Sequence, residues 1–306
     1  MTESVTVGVD GTRESHSAVD WAAREALTRG VPLQLLHIRE AGAYPYSPIA
    51  DDEVEREWAQ NLVNEVLDEL NRRAPELNVE VEMAAGRPSH VLADASAETG
   101  LLVLGSRGLS SLLGFIVGSA ALPTVAHCAC PVVLVRAHAG DAHSSGDHQA
   151  ETLAALPLQE RTTTGEIVLG VDLRHPCDEL MAFAFQEAAL HSLPLRVLNA
   201  WSVGDHHRAM RPSPIPPAMQ GELLAAQNDA LTAALRPWSE RYPDIKVHAE
   251  ALTDQPAHLL VEAAAQASML VVGRRNRRSR IGTHVGSVTH AVMHHARAPL
   301  AVVPYG

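Results

Sequence analysis

Two acids close short apolar runs in this 306-residue chain. Asp10 ends Val5-Thr-Val-Gly-Val-Asp10, and Asp172 ends Ile167-Val-Leu-Gly-Val-Asp172. Each run is followed downstream by a second apolar run that opens into a glycine-punctuated stretch. Leu101-Leu-Val-Leu-Gly105 leads into Ser106-Arg107-Gly108, nine residues, then Gly118-Ser119. Met269-Leu-Val-Val-Gly273 leads into Arg274-Arg275-Asn276, nine residues, then Gly286-Ser287. These are the parts of an anion cradle. Glycines at 105 and 108 let backbone N–H groups approach an anion with no Cβ in the way. Gly118-Ser119, opening a helix, would add free N–H groups, a hydroxyl and the positive end of the helix dipole. A carboxylate cannot usefully face phosphate, so Asp10 is assigned to the sugar or base end of a ligand. In the second copy Asn276 replaces a glycine, and Asn tolerates positive φ better than other non-glycine residues.

Several chemistries are excluded by residue usage. Of the 24 basic residues only Lys246 is a lysine, in Asp244-Ile245-Lys246-Val247-His248, which reads as a strand entry. A Walker A loop needs Gly-Lys-Ser/Thr, and the chain has no such triplet. Schiff-base chemistry would rest on that one lysine. Cys128, Cys130 and Cys177 suit a reducing compartment. The start, Thr2 to Asp10, has no basic n-region and carries Glu3 and Asp10, so no secretory signal is expected and the expected location is the cytoplasm.

The elements that must position these residues form a long internal repeat. The first runs recur at an offset of 162. The 101–105 run, Gly118-Ser119, His127 and Pro131 recur at 168, as 269–273, Gly286-Ser287, His295 and Pro299. The change of offset locates six extra residues in the second half, assigned to Pro212–Pro217, which cannot be regular helix. The expected organisation is a domain over 1–136, a Ser/Gly/His-rich linker over 137–164 and a domain over 165–306. Residues 1–136 carry 19 acids and 10 bases, whereas 165–306 carry 13 and 13, so only the first half repels polyanions overall.

In the first half apolar periodicity predicts strands at Val5–Val9, Leu33–Ile38, Val79–Met83, Leu101–Leu104 and Val132–Val135. Helices are predicted at Ser15–Arg29, Asp51–Arg73, Ser89–Glu98 and Ser119–His127. Strands apolar on both faces and separated by helices imply a parallel sheet covered on both sides, a doubly wound α/β fold present twice. Gly108–Val135 contains no Asp, Glu, Lys or Arg, long enough for a membrane span. Pro123, Pro131 and His127 interrupt it, and its counterpart from Arg280 to Val303 carries Arg280, Arg297 and four histidines. A loop, a buried helix and a core strand account for both. In such sheets ligands bind beyond the carboxyl ends of the strands, where strand order reverses.

The spacing G-x2-G-x9-G-[ST] after the fourth strand, with Asp after the first, resembles the universal stress protein family, in its tandem actinobacterial form. The resemblance covers residues 4–136 and 165–304. It implies a five-stranded parallel sheet of order 3-2-1-4-5 in each half, homodimerisation partly through the last strand, and binding of ATP, with Mg²⁺ able to bridge its phosphates. Carried over by position, the first site would comprise Gly8, Asp10, Ile38, Gly105, Ser106, Arg107, Gly108, Gly118 and Ser119. The adenine would lie near Asp10 and the backbone of Ile38. The second site would comprise Gly170, Asp172, Ala200, Gly273, Arg274, Arg275, Asn276, Gly286 and Ser287.

Arg274, Arg275, Arg277, Arg278 and Arg280 could neutralise a triphosphate, bind an acidic partner or form a solvated face. Nucleic acid is disfavoured by a net charge of −12 and by the lack of an accompanying aromatic stacking surface. His290 and His294 stand four apart, with His284 and His295 nearby. No carboxylate or cysteine accompanies them, so helix-terminal histidines are expected and not a metal site. Cys128-x-Cys130 reads as small buried residues entering a strand. With no nucleophile or metal cluster beside the cradle, the expected function is nucleotide-linked conformation or association in stress response, without rapid turnover. Two alternatives stand: a slow ATPase or phosphotransferase using Arg107 or the 274–280 arginines with Asp10 or Asp172 as base, and an interaction module with vestigial sites.

Overall fold

The computed structural model describes residues 4–40, 52–106, 120–137, 165–175, 177–201, 217–276 and 285–306. The chain divides into two compact units, Met1–Thr162 and Thr163–Gly306.

In the first unit the elements run β1 Val5–Val9, α1 Arg13–Arg29, β2 Leu33–Arg39, α2 Asp52–Arg73, β3 Val79–Ala85, α3 Pro88–Ala95, β4 Leu101–Ser106, α4 Ala121–His127 and β5 Val132–Arg136. The strands pair in parallel in the order β3-β2-β1-β4-β5. Strand order therefore reverses between β1 and β4. The central strands are apolar because both faces are covered: Val5, Val7, Leu33, Leu35, Leu102, Val103 and Val133 are fully buried. Each such side chain contributes about 1.5–3 kcal/mol. β3 departs from the expectation of two covered faces. It is an edge strand whose alternating Val-Glu-Val-Glu-Met leaves Val81 and Met83 exposed.

Helix boundaries follow local chemistry. α1 starts two residues earlier than the pattern predicts, because the Thr12 side chain accepts from the Ser15 N–H and caps the helix. It ends where Gly30 adopts φ +66° and returns its N–H to the carbonyls of Ala26 and Leu27. α3 starts at Pro88, a residue suited to the first helical turn, and stops at Ala95 rather than Glu98. α1 and α2 share one face, tied by Arg73, which donates from Nη1 to Asp20 of α1 at 2.8 Å and to Glu69 of α2 at 3.0 Å. α3 and α4 pack together.

The second unit repeats this plan. Its elements are β6 Ile167–Gly170, α5 Asp178–Leu190, β7 Leu195–Trp201, α6 Pro217–Arg241, β8 Val247–Thr253, α7 Pro256–Ala263, β9 Met269–Arg275, α8 Ser287–His295 and β10 Leu300–Tyr305. The parallel order is β8-β7-β6-β9-β10, with the reversal between β6 and β9. The core centres on Phe185, fully buried, whose ring lies 5.9 Å from Trp238 and 5.6 Å from Tyr242. Pro217 opens α6 rather than excluding helix, and the rest of the proline stretch lies outside the described residues. Among the described residues no helix is long and apolar enough to cross a membrane.

Candidate functional site

The carboxyl ends of β1 and β4 meet at the reversal of the first sheet. Asp10 stands there, exposed, one residue beyond β1, and Ile38 lies in the neighbouring β2, which pairs Val9 with His37. Gly11 has φ +74°, a conformation that favours glycine, and this turn feeds α1 within three residues of Asp10. Thr12 donates to Asp10 Oδ1 twice, from its backbone N–H at 2.9 Å and from its hydroxyl at 2.6 Å. The same hydroxyl accepts from the Ser15 N–H at 3.2 Å. Asp10 therefore braces the start of α1 through one oxygen. Among the described residues Oδ2 has no hydrogen-bond partner.

Gly105 and Ser106 lie inside β4, in register with Val135 and Arg136 of β5, and so are not the first residues of a loop. The glycine at 105 serves helix packing. A Cβ there would meet the α1 backbone at 2.6 Å (Glu14 C), 2.7 Å (Glu14 O) and 2.8 Å (Ser15 N). Gly8 likewise accommodates Leu104 at 3.0 Å and Leu92 at 3.8 Å. Neither glycine is accounted for by room for a phosphate. Ser106 is 1% exposed, and among the described residues its hydroxyl makes no hydrogen bond. Arg107, Gly108, Gly118 and Ser119 lie outside the described residues, as do Arg277, Arg278, Arg280 and His284.

The second site is built differently at matching positions. Asp172 follows β6 by two residues, and Arg174, at the repeat position of Thr12, closes on it. Arg174 donates to Oδ1 from Nε at 2.9 Å and from its backbone N–H at 3.1 Å, and to Oδ2 from Nη2 at 3.1 Å. His175 Nδ1 lies 3.2 Å from Oδ2. Burial alone would raise the pKa of Asp172. The hydrogen bonds from Arg174 and His175, with the charge of Arg174, outweigh it and hold the carboxyl below its usual range. Leu173 stands where the first unit has Gly11, and α5 begins three residues later in the repeat than α1, capped by Cys177, whose Sγ accepts from the Leu180 N–H at 3.3 Å. The longer connection gives Arg174 room to fold back.

Gly273, Arg274 and Arg275 belong to β9, paired with Val303, Pro304 and Tyr305. A Cβ on Gly273 would collide with Tyr305 at 2.6 Å and meet Leu180 at 3.2 Å. One on Gly170 would meet Leu260 at 2.9 Å. Arg274 is 5% exposed. Asn276 does not adopt the left-handed turn its residue type allows: Ser192 is the one described non-glycine residue with positive φ. Its N–H extends the ladder instead, donating to the Tyr305 carbonyl at 2.7 Å. Ala200 lies in β7 opposite Leu252.

Gly286 occupies the N-cap of α8, where no described side chain caps the helix, and a Cβ on it would meet no described atom within 4 Å. The first intrahelical bond runs from the His290 N–H to the Gly286 carbonyl, so the amides of the first turn are not used by the helix itself. Thr289 fixes this helix start at the carboxyl end of β9 by donating from Oγ1 to the Gly273 carbonyl at 2.9 Å. His294 and His295 fall in the last turn as expected, whereas His290 sits in the first half of the helix, its ring 4.7 Å from that of His294. Cys128 and Cys130 are buried and unbridged.

Sequence reasoning missed Thr12, Arg174 and His175 on the two acids, Thr289 at the start of α8, and a pair beside the first site. His37 is buried and bonded through Nδ1 to the Val9 carbonyl at 2.8 Å, and Trp58 of α2 sits edge-on to it at 6.3 Å. Trp58 lies one turn before Leu62, which packs over Gly11, and is 57% exposed. An aromatic ring therefore flanks the end of the sheet where Asp10 stands. Its signal in the sequence was a tryptophan on the polar side of an amphipathic pattern.

A parallel sheet of order 3-2-1-4-5, with Asp10 and Asp172 just beyond the strands at the reversal, defines a doubly wound α/β protein, its plan present twice. The model of the universal stress protein family matches residues 1–136 and 164–304, and the chain belongs to that family. It is 31% identical to a universal stress protein of Mycobacterium tuberculosis, over 97% of this chain and 96% of the other. A relative from Mycolicibacterium smegmatis is 32% identical, over 98% and 96%. The crystal structure of a universal stress protein from Archaeoglobus fulgidus matches all of both chains with a TM-score of 0.68 at 16% identity, a likeness of fold.

Proposed function

We propose that this protein binds ATP at the carboxyl ends of β1 and β4, and of β6 and β9, without rapid turnover, and acts in stress response through nucleotide-linked conformation or homodimer association in the cytoplasm. The observation that carries the reading is the start of α8. It has no side-chain cap, is bonded by Thr289 to the last glycine of a central strand, and among the described residues has nothing within 4 Å of a Cβ placed on Gly286. Amides there, with the helix dipole, are suited to a phosphate. In the first unit the unengaged Oδ2 of Asp10 and the face of Trp58 are suited to ribose hydroxyls and a base. Mg²⁺ bound with ATP would screen phosphate charge. The one described hydroxyl bonded to a carboxylate there, Thr12 on Asp10, is held as the cap of α1 by the Ser15 N–H, a role that supports binding over turnover.

The test is direct. Purified protein is heat-precipitated and the supernatant chromatographed for adenine nucleotide, and nucleotide-free protein is titrated with ATP while its melting is followed. Released adenine nucleotide or a thermal shift with millimolar ATP is expected. Empty protein with no shift would refute the reading, and γ-phosphate loss above about one per second would replace it with an enzymatic one.

A further inference from the structure

We propose that the two sites read different ends of a ligand: the first binds a nucleoside together with its phosphates, whereas in the second Arg174 occupies the acid that a ribose would need, so that site binds by phosphate alone. The inference rests on the nucleotide-binding reading above.

Its basis is a comparison of matched positions. The residue two after the acid donates to it in both units. Thr12 uses one carboxylate oxygen and leaves Asp10 Oδ2 open, while Arg174 uses both oxygens of Asp172 and His175 adds a contact to Oδ2. The neutralised acid no longer repels phosphate, nor does it offer a free acceptor to hydroxyl groups.

A second, separate difference points the same way. α2 and α6 end at Arg73 and Arg241, an offset of 168, which puts Ala226 where the first unit has Trp58. The stacking wall of the first site has no aromatic counterpart at that position. Beneath the second site the repeat mate of the neutral Ser106 is the buried Arg274. At these positions the second site has no ring for a base and has arginines, Arg174 and Arg274, where the first has Thr12 and Ser106. Its ligand class is a phosphorylated compound or oligophosphate irrespective of base.

The experiment uses the full chain and two probes, ATP and inorganic tripolyphosphate, in calorimetric titrations. Gly286→Glu is the block for the second site and Gly118→Glu, its repeat mate in the sequence, the block for the first, with circular dichroism checking that each variant folds. On Gly286→Glu, ATP should bind more tightly than tripolyphosphate by at least about tenfold, the effect of base stacking. On Gly118→Glu, the two probes should bind within about twofold of each other. Adding Arg174→Thr should return Asp172 to hydroxyl groups while removing the cation that screens it from phosphate, so the ratio of ATP to tripolyphosphate affinity should rise by about two- to fivefold, the size of an exposed ion pair. If a glutamate variant unfolds, the part of the ligand-induced tryptophan fluorescence change that is lost in Trp58→Phe reports the first site while total heat reports both.

Equal ATP preference at both sites, or no rise in the ATP-to-tripolyphosphate ratio after Arg174→Thr, would overturn the proposal and leave nucleotide binding standing. Binding of one ATP by the wild-type chain and of neither probe by folded Gly118→Glu would overturn it with the first site intact. A wild-type chain that binds no ATP would overturn both readings together.

Discussion

Replacing Gly105 by alanine should destabilise the first unit through its fold and not through its ligand. The added Cβ would lie 2.6, 2.7 and 2.8 Å from Glu14 C, Glu14 O and Ser15 N, all backbone atoms of the first turn of α1. Carbon contacts settle near about 3.5–4.0 Å, so α1 must retreat from β4 by about 1 Å. No rotamer change relieves a clash with backbone. Overpacking of this kind costs about 1–3 kcal/mol, and a backbone neighbour puts this site at the upper end. For a unit of this size each kcal/mol is about 2–4 °C, so calorimetry of the full chain should show a transition lowered by about 6–12 °C. Gly286→Ala is the control. Its Cβ meets no described atom within 4 Å, and loss of glycine at a helix start with no described side-chain cap costs at most about 1 kcal/mol. A Gly105→Ala protein that melts with the wild type, or with Gly286→Ala, would refute the packing argument.

Other consequences are as specific. Phe185→Ala removes a fully buried ring packed between Trp238 and Tyr242 and should cost about 3–5 kcal/mol, read as a shift in the denaturant midpoint at unchanged slope. Cys130 and Cys177 are each pushed up to about 12 by burial, and Cys128 is equally buried, so Ellman's reagent at pH 8 should find no fast thiol in native protein and three after unfolding. The carboxyl of Asp172 is held below its ordinary 3.8, so its stabilising contribution is complete above that pH and is lost as the pH falls through the lower folded value. With Asp172 at 41% exposure that contribution is at most about 1 kcal/mol, and carboxyl NMR should find the midpoint below 3.8 in the wild type and higher in Arg174→Ala than in the wild type.

The strands and most helices were legible because apolar periodicity and the repeat agree, and the carboxyl-end location of Asp10 followed directly. What the glycines are for was not. A glycine ending an apolar run suits either an anion or a helix crossing, and only the contact with Glu14 shows that Gly105 serves the second. The exposure of β3 was hinted at by its Glu80 and Glu82, but edge position depends on strand order, a long-range property. The contrast between Asp-Gly-Thr and Asp-Leu-Arg was visible in the chain. That threonine would engage one carboxylate oxygen and arginine two is a matter of torsion angles set by Gly11 and by the later start of α5.

Nucleotide stoichiometry on the wild-type chain and on Gly118→Glu and Gly286→Glu tests the central claim most directly. The account predicts two equivalents of ATP for the wild type at saturation and one fewer for each variant. A wild-type count of zero at millimolar ATP, or a count left unchanged by either substitution, would contradict it.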